Sequence, residues 1–222
     1  MDILKHKKIS YVLRKPEGFS AEEKYPLVVY VHGAGGRGSD INVIANHCFF
    51  KETEQVLSGA VSVAPQCYAD SWFDIFEQLQ DFLEMIISTE YVDSSRVYLM
   101  GASMGGYTTW QLSMSRPELF TAIVPICGGG MYWNAGRLKD LPVWAFHGDS
   151  DPTVLCEESR KMVDGIIKRG GNARLTVYEG VKHDAWTPTF RNAEMWEWLF
   201  SQVGNKSSRE HEEQYADVKK YG

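Results

Sequence analysis

Apolar, β-prone residues are gathered into short runs at 27–32, 61–64, 97–100, 122–126, 143–146 and 175–178. Each run is bounded by turn residues and lacks the alternation of a half-exposed strand, which suits strands buried on both faces of a parallel sheet. Between the runs, apolar positions recur at three- and four-residue spacing. The clearest case is 74–87, where Ile75, Phe76, Leu79, Phe82, Leu83, Ile86 and Ile87 share one side and the carboxylates take the other. Similar periods predict helices over 104–115, 157–168 and 193–203. Strands alternating with helices make βαβ units, so the predicted fold class is α/β, with a mostly parallel central sheet and helices on both faces. Residues 8–13 alternate instead and are followed by a polar connection, which predicts an antiparallel edge strand.

No repeat and no Pro- or Ser-rich linker divides the chain, and 222 residues suit one domain with a self-sufficient core. We expect that domain over 1–203. From 204 to 222 the apolar period is lost, and a polar C-terminal tail is expected. Lys and Arg number 23 against 29 Asp and Glu, a net charge of −6 that argues against a nucleic-acid partner. The polar, basic first eight residues are followed by no apolar run, so neither a secretion signal nor a membrane span is predicted and a cytoplasmic location is expected. The cysteines at 48, 67, 127 and 156 form no zinc-type spacing, so free thiols and no metal are expected.

The chemistry begins at Gly101-Ala102-Ser103-Met104-Gly105, a Gly-x-Ser-x-Gly pattern. Alone the pattern is weak, but here a buried strand runs into it and a predicted helix leaves it, the strand-turn-helix setting of a nucleophile elbow. A serine hydroxyl needs a base to take its proton, and in this architecture the partners follow in the order acid, then histidine. Asp149 and Asp151 both follow the strand at 143–146. Asp151 is preferred because Pro152 fixes the backbone beside it, whereas Asp149 sits closer to the strand and suits a turn-holding role. His183 follows the acid and the last strand and precedes the final helix, as the order demands. His32 and His147, each before a glycine at a strand end, are read as satisfying loop backbone groups.

Gly33-Ala34-Gly35-Gly36-Arg37-Gly38 formally matches the dinucleotide fingerprint, with Glu54 at about the right distance beyond it. A nicotinamide or flavin enzyme would leave Ser103, Asp151 and His183 unexplained. The alternative uses the same small residues for an oxyanion hole, with one amide from Met104 and another from Ala34 or Gly35.

With these residues in place the chain resembles serine hydrolases of the α/β-hydrolase fold. It is similar to compact esterases related to phospholipase/carboxylesterase and dienelactone-hydrolase-like enzymes, and to the esterase or peptidase group with a prolyl-oligopeptidase-like domain. The motifs that carry the resemblance are His32-Gly-Ala-Gly-Gly, Ala64-Pro-Gln-Cys67, Gly101-Ala-Ser-Met-Gly-Gly106, Pro125-Ile-Cys-Gly-Gly-Gly130, His147-Gly-Asp-Ser-Asp-Pro152 and Lys182-His-Asp-Ala-Trp186. The resemblance implies Ser103 as nucleophile, Asp151 as acid, His183 as base, and the Ala34 and Met104 amides as the oxyanion hole. No cofactor is implied, and residues 131–141 are too few for a substantial lid.

The expected activity is hydrolysis of carboxylic esters with small, aromatic or sugar-linked groups through an acyl-enzyme, by a monomer or homodimer with a small-molecule ester as partner. Trp186, Trp72, Trp133 and Gln66 are the candidate substrate contacts, and Phe73 and Tyr132 lie in the same aromatic loops. The rival readings are a prolyl-oligopeptidase-like peptidase, an acyl thioesterase, and a catalytically silent binding module on the same scaffold.

Overall fold

In the computed structural model, which describes residues 1–204, the chain opens with a hairpin of β1 (Asp2–His6) and β2 (Ile9–Arg14). Lys7 makes the turn at φ 52°. The expectation of an edge strand at 8–13 is therefore corrected: β2 is antiparallel as foreseen, but it lies between β1 and the rest of the sheet, and β1 is the edge. The pattern hid β1 because that strand is exposed on both faces, with even Ile3 and Leu4 turned to solvent, so no burial marks it.

The chain continues through β3 (Tyr25–Val31), the short helices α1 (Asn42–Ala45) and α2 (Cys48–Glu52), β4 (Val61–Pro65), α3 (Phe76–Ile87) and β5 (Val92–Ala102). Then come α4 (Met104–Ser115), β6 (Ala122–Ile126), β7 (Val143–Gly148), α5 (Cys156–Ile167), β8 (Ala173–Tyr178), α6 (Trp186–Phe190) and α7 (Ala193–Ser201). The eight strands lie in the order β1-β2-β4-β3-β5-β6-β7-β8, and every pairing from β4 to β8 is parallel.

Successive side chains of a strand point to opposite faces, so one apolar run feeds two cores. Along β3, Leu27, Val29 and Val31 pack with α3, α4 and α5 through Leu79, Phe82, Trp110, Met162 and Ile166. Val28 and Tyr30 pack on the other face against Ile44, Phe49, Phe190, Met195 and Leu199. Burying each such side chain contributes roughly 1.5–3 kcal/mol. The consequence for the site is that the carboxyl ends of β3, β5, β6, β7 and β8, all parallel, open at one edge of a sheet held from both sides.

All four cysteines are unpaired thiols. No helix among the described residues is long and apolar enough to cross a membrane. The Gly204 amide donates to the Ser95 carbonyl at 2.8 Å; the remaining positions of the expected tail, 205–222, lie outside the described residues.

Candidate active site

Ser103 stands between β5 and α4 at φ 56° and ψ −120°, a conformation costly for a residue with a side chain. The glycines around it are there because nothing larger fits. A Cβ on Gly101 would lie 2.5 Å from the Gly105 carbonyl oxygen, and one on Gly105 would run into the Val31 carbonyl of β3. The turn is fastened from both sides: the Ser103 amide donates to Ile126 O at 3.0 Å, and the Tyr107 amide donates to Ser103 O at 3.0 Å.

The Ser103 hydroxyl donates to His183 Nε2 at 2.8 Å, and His183 Nδ1–H donates to Asp151 Oδ2 at 2.7 Å. Three residues far apart in sequence thus form one hydrogen-bonded chain at the carboxyl edge of the sheet. The other carboxylate oxygen of Asp151 accepts the Thr153 amide at 2.8 Å and the Val154 amide at 3.0 Å. Burial alone would raise the Asp151 pKa, but the hydrogen bonds from His183, Val154 and Thr153 outweigh it and hold the carboxyl below its ordinary value. Asp149 is engaged elsewhere: its Oδ1 accepts the Gly180 amide at 2.8 Å and the Ser150 hydroxyl at 2.8 Å, tying together the turns after β7 and β8.

Against Ser103 lies the glycine loop after β3. Ala34–Gly36 make a single 3-10 turn, and a Cβ on Gly33 would be 3.3 Å from Ser103 Cβ. Ala34, Gly35 and Met104 are the first residues of helical turns, so their N–H groups have no intrahelical acceptor. A helix-bearing dinucleotide turn is not what forms here: β3 is not the first strand, and the turn ends at Gly36.

Two candidate substrate contacts are corrected to supports of this loop. Trp72 is 0% exposed, and its indole N–H donates to His32 O at 3.0 Å. Gln66 is buried, with its amide donating to Gly36 O at 3.1 Å and Asp40 O at 2.9 Å. In sequence, a loop-bracing side chain and a ligand-facing one have the same polar and aromatic composition, so the pattern alone does not separate them. His32 braces the loop as well, its Nδ1–H donating to Gly33 O at 2.6 Å and its Nε2 accepting the Cys67 amide at 3.0 Å.

Trp186 opens α6 and meets the His183 ring edge to face, centroids 5.5 Å apart. Trp133 is 64% exposed and stands outside the groove beside the site. That groove, about 590 Å³, is lined instead by Phe73, Phe76, Tyr107, Gln111, Met131 and Glu158, with Gly129 and Gly130 leaving room. Sequence reasoning missed Tyr107, Gln111 and Glu158; Tyr107, one helical turn after Ser103, was the one with a positional signal.

Among the described residues, Cys127, Asp151 and His183 bring potential metal-ligand atoms within 4.8 Å of one another. Asp151 and His183 are already bonded together, and burial pushes the Cys127 thiol up to about 12, so this set offers a neutral thiol rather than a thiolate.

A model of the prolyl oligopeptidase family matches residues 69–133. A probable feruloyl esterase C from Aspergillus terreus (strain NIH 2624 / FGSC A1156) is 23% identical over 167 residues, which are 72% of this chain and 62% of that protein. A thermostable esterase of solved structure is 36% identical, superimposes with a TM-score of 0.76, and is matched over 88% of this chain and 59% of its own. Est1E from Butyrivibrio proteoclasticus, solved with ferulic acid bound, shares the fold at a TM-score of 0.69 and 15% identity, over 91% of this chain and 99% of that one. The chain spans about three fifths of the Aspergillus protein and of the thermostable esterase. By sheet order, elbow and structural likeness, the chain has the α/β-hydrolase fold and is similar to esterases that share it.

Proposed function

We propose that the chain is a serine carboxylic ester hydrolase in which Ser103 is the nucleophile, His183 the base and Asp151 the orienting acid. The observation that carries this reading is the continuous hydrogen-bonded chain from Ser103 Oγ through both ring nitrogens of His183 to Asp151. As Ser103 Oγ bonds to the carbonyl carbon, its proton passes to His183 Nε2, and the imidazolium is stabilised by the Asp151 carboxylate. The developing oxyanion lies between the amide of Met104 and that of Ala34 or Gly35. His183 then gives its proton to the leaving alcohol, and water repeats the sequence to release the acid.

For the substrate, the groove of Phe73, Phe76, Tyr107 and Met131 suits an aromatic or small acyl group. The feruloyl esterases among the relatives support an aromatic acyl group, and a sugar-linked alcohol is part of the same proposal. The match of residues 69–133 to the prolyl oligopeptidase family favours a second reading, hydrolysis of peptide amides.

One panel separates them: nitrophenyl and cinnamoyl esters, aminoacyl amides and acyl thioesters, each with wild type and Ser103→Ala. We expect ester turnover in the wild type, its loss by about six orders of magnitude in Ser103→Ala, and no labelling of the variant by a fluorophosphonate. Undiminished ester hydrolysis by Ser103→Ala would sink the proposal, and amide turnover above ester turnover would replace it with the peptidase reading.

A further inference from the structure

The proposed mechanism uses one imidazole, yet a second one converges on the same carboxylate oxygen. His147, fully buried at the end of β7, has its Nε2 3.4 Å from Asp151 Oδ2, the oxygen that His183 Nδ1 meets at 2.7 Å. The same Nε2 lies 2.9 Å from Val154 O, and Nδ1 lies 2.7 Å from the Ser159 hydroxyl of α5. Ser159 Oγ in turn lies 2.9 Å from Gly128 O, at the end of β6 beside the groove.

A proton count decides what this ring does. The two ends of the chain, Val154 O and Gly128 O, are carbonyls and only accept. Filling the three links from Gly128 through Ser159 and His147 to Val154 takes three hydrogens, whereas a neutral imidazole and a hydroxyl bring two. Nε2 faces two groups that only accept, Val154 O at 2.9 Å and Asp151 Oδ2 at 3.4 Å, and a lone pair there would oppose both, so the neutral ring carries its proton on Nε2. The Ser159 hydroxyl then faces two acceptors, Nδ1 and Gly128 O. The third hydrogen arrives only if His147 becomes an imidazolium, placing a second cation against the oxygen that must stabilise His183. The titratable groups acting on the ring are Asp151 on its own loop, which favours the charged form, and His183 from the loop after β8, which opposes it. α5 presents Ser159, and the end of β6 presents the Gly128 carbonyl. Burial is the largest influence and pushes the His147 pKa below its ordinary value.

We propose that His147 is a positioning residue for Asp151: as a neutral ring it grips the Val154 carbonyl, closes the loop whose amides hold the carboxylate, and leaves Asp151 Oδ2 to His183. Val154 is the hinge of this device, since its N–H binds Asp151 Oδ1 at 3.0 Å while its C=O binds His147. The inference rests on the proposed hydrolase reading.

The test compares wild type, His147→Leu, His147→Gln and Ser103→Ala with one nitrophenyl ester across pH, alongside fluorophosphonate labelling rates and thermal midpoints. Gln carries a neutral N–H near the place of Nε2 but cannot take a charge. His147→Leu leaves Val154 O without its donor, and a carboxylate displaced by about 1 Å costs on the order of a hundredfold. The expected result is that loss in kcat and in labelling rate for His147→Leu, with KM within about threefold, and recovery of most of the rate in His147→Gln. On the acid side, the wild-type kcat/KM profile steepens from a one-proton towards a two-proton dependence, while His147→Gln keeps the one-proton slope. The pH comparison uses only wild type and the Gln variant, so it remains decisive if the Leu variant does not fold. Superimposable acid limbs for those two proteins overturn the inference, as does a folded His147→Leu with wild-type kcat. If Ser103→Ala retains activity the hydrolase reading itself fails, whereas an inactive Ser103→Ala beside unaffected His147 variants removes this inference alone.

Discussion

The loop after β3 and the groove lined by Phe73 and Tyr107 are built in opposite ways. The loop is braced by buried groups: His32 bonds Gly33 O and the Cys67 amide, Trp72 bonds His32 O, and Gln66 bonds Gly36 O and Asp40 O. The neighbouring groove is walled instead by side chains that solvent reaches, with Phe73 at 49% and Met131 at 37% exposure. Backbone amides that are to meet a developing charge act best when already in place, because reorienting them during the reaction would cost what they contribute. A surface that selects substrates has no such requirement. The contrast therefore separates machinery for rate from machinery for choice, and it predicts where substitutions act on kcat and where they act on KM.

The largest effect belongs to the acid Asp151, which the amides of its own loop after β7 also hold in place. In Asp151→Asn the amide oxygen still accepts from Thr153 and Val154, so the loop keeps its shape, but the other arm now presents N–H to His183 Nδ1–H. The imidazole is pushed into the wrong tautomer and loses its counter-charge. We expect kcat to fall by about 10⁴ with the thermal midpoint little changed. A loss below tenfold in steady-state ester hydrolysis would show that orientation of His183 does not depend on Asp151.

A smaller effect, on stability rather than rate, comes from His32. Burial is the main cause that lowers its pKa to about 4 from 6.5, and its Nε2 must stay unprotonated to accept the Cys67 amide. The unfolded chain takes up a proton that the folded chain refuses. Stability from this residue is therefore full above pH 6.5 and is lost as pH falls through the window from 6.5 towards 4. The span corresponds to about 3 kcal/mol at most. Urea midpoints between pH 7 and 4 should fall more steeply in the wild type than in His32→Gln, which has nothing to protonate; parallel curves would remove His32 from the acid response.

The same contrast explains what could be read from the chain. The apolar runs at 27–32 and 122–126 and the helix at 104–115 were legible because burial on both sides leaves a dense, periodic pattern. Ser103, Asp151 and His183 were legible because chain order and turn glycines constrain them, and the structure brings those three together. β1 was not, since an exposed edge strand carries no pattern. The bracing roles of Trp72 and Gln66 were not legible: the sequence tells that an indole or an amide stands near a strand end, while the direction of its N–H is decided by tertiary packing. The groove was hidden for a related reason. Its walls come from the turn before α3, from the first residue of α3, from α4, from the loop after β6 and from α5, and only folding sets them side by side.

The smallest predicted effect tests the open groove. Phe73 is half exposed and stacks on Phe76 with centroids 6.3 Å apart, so it contributes little to the core and its removal should leave folding intact. If the groove receives the acyl group, Phe73→Ala withdraws one apolar wall from an aromatic acyl ester and almost nothing from an acetyl ester. The lost contact is worth about 1 kcal/mol, which is roughly a fivefold rise in KM. We expect that rise for a cinnamoyl ester, an unchanged KM for the corresponding acetate, and kcat within about twofold for both. Equal KM changes for the two esters would mean that the acyl group lies elsewhere. A fall in kcat with KM unchanged would mean that this groove is as bound to the rate as the braced loop, and the division between loop and groove would not hold.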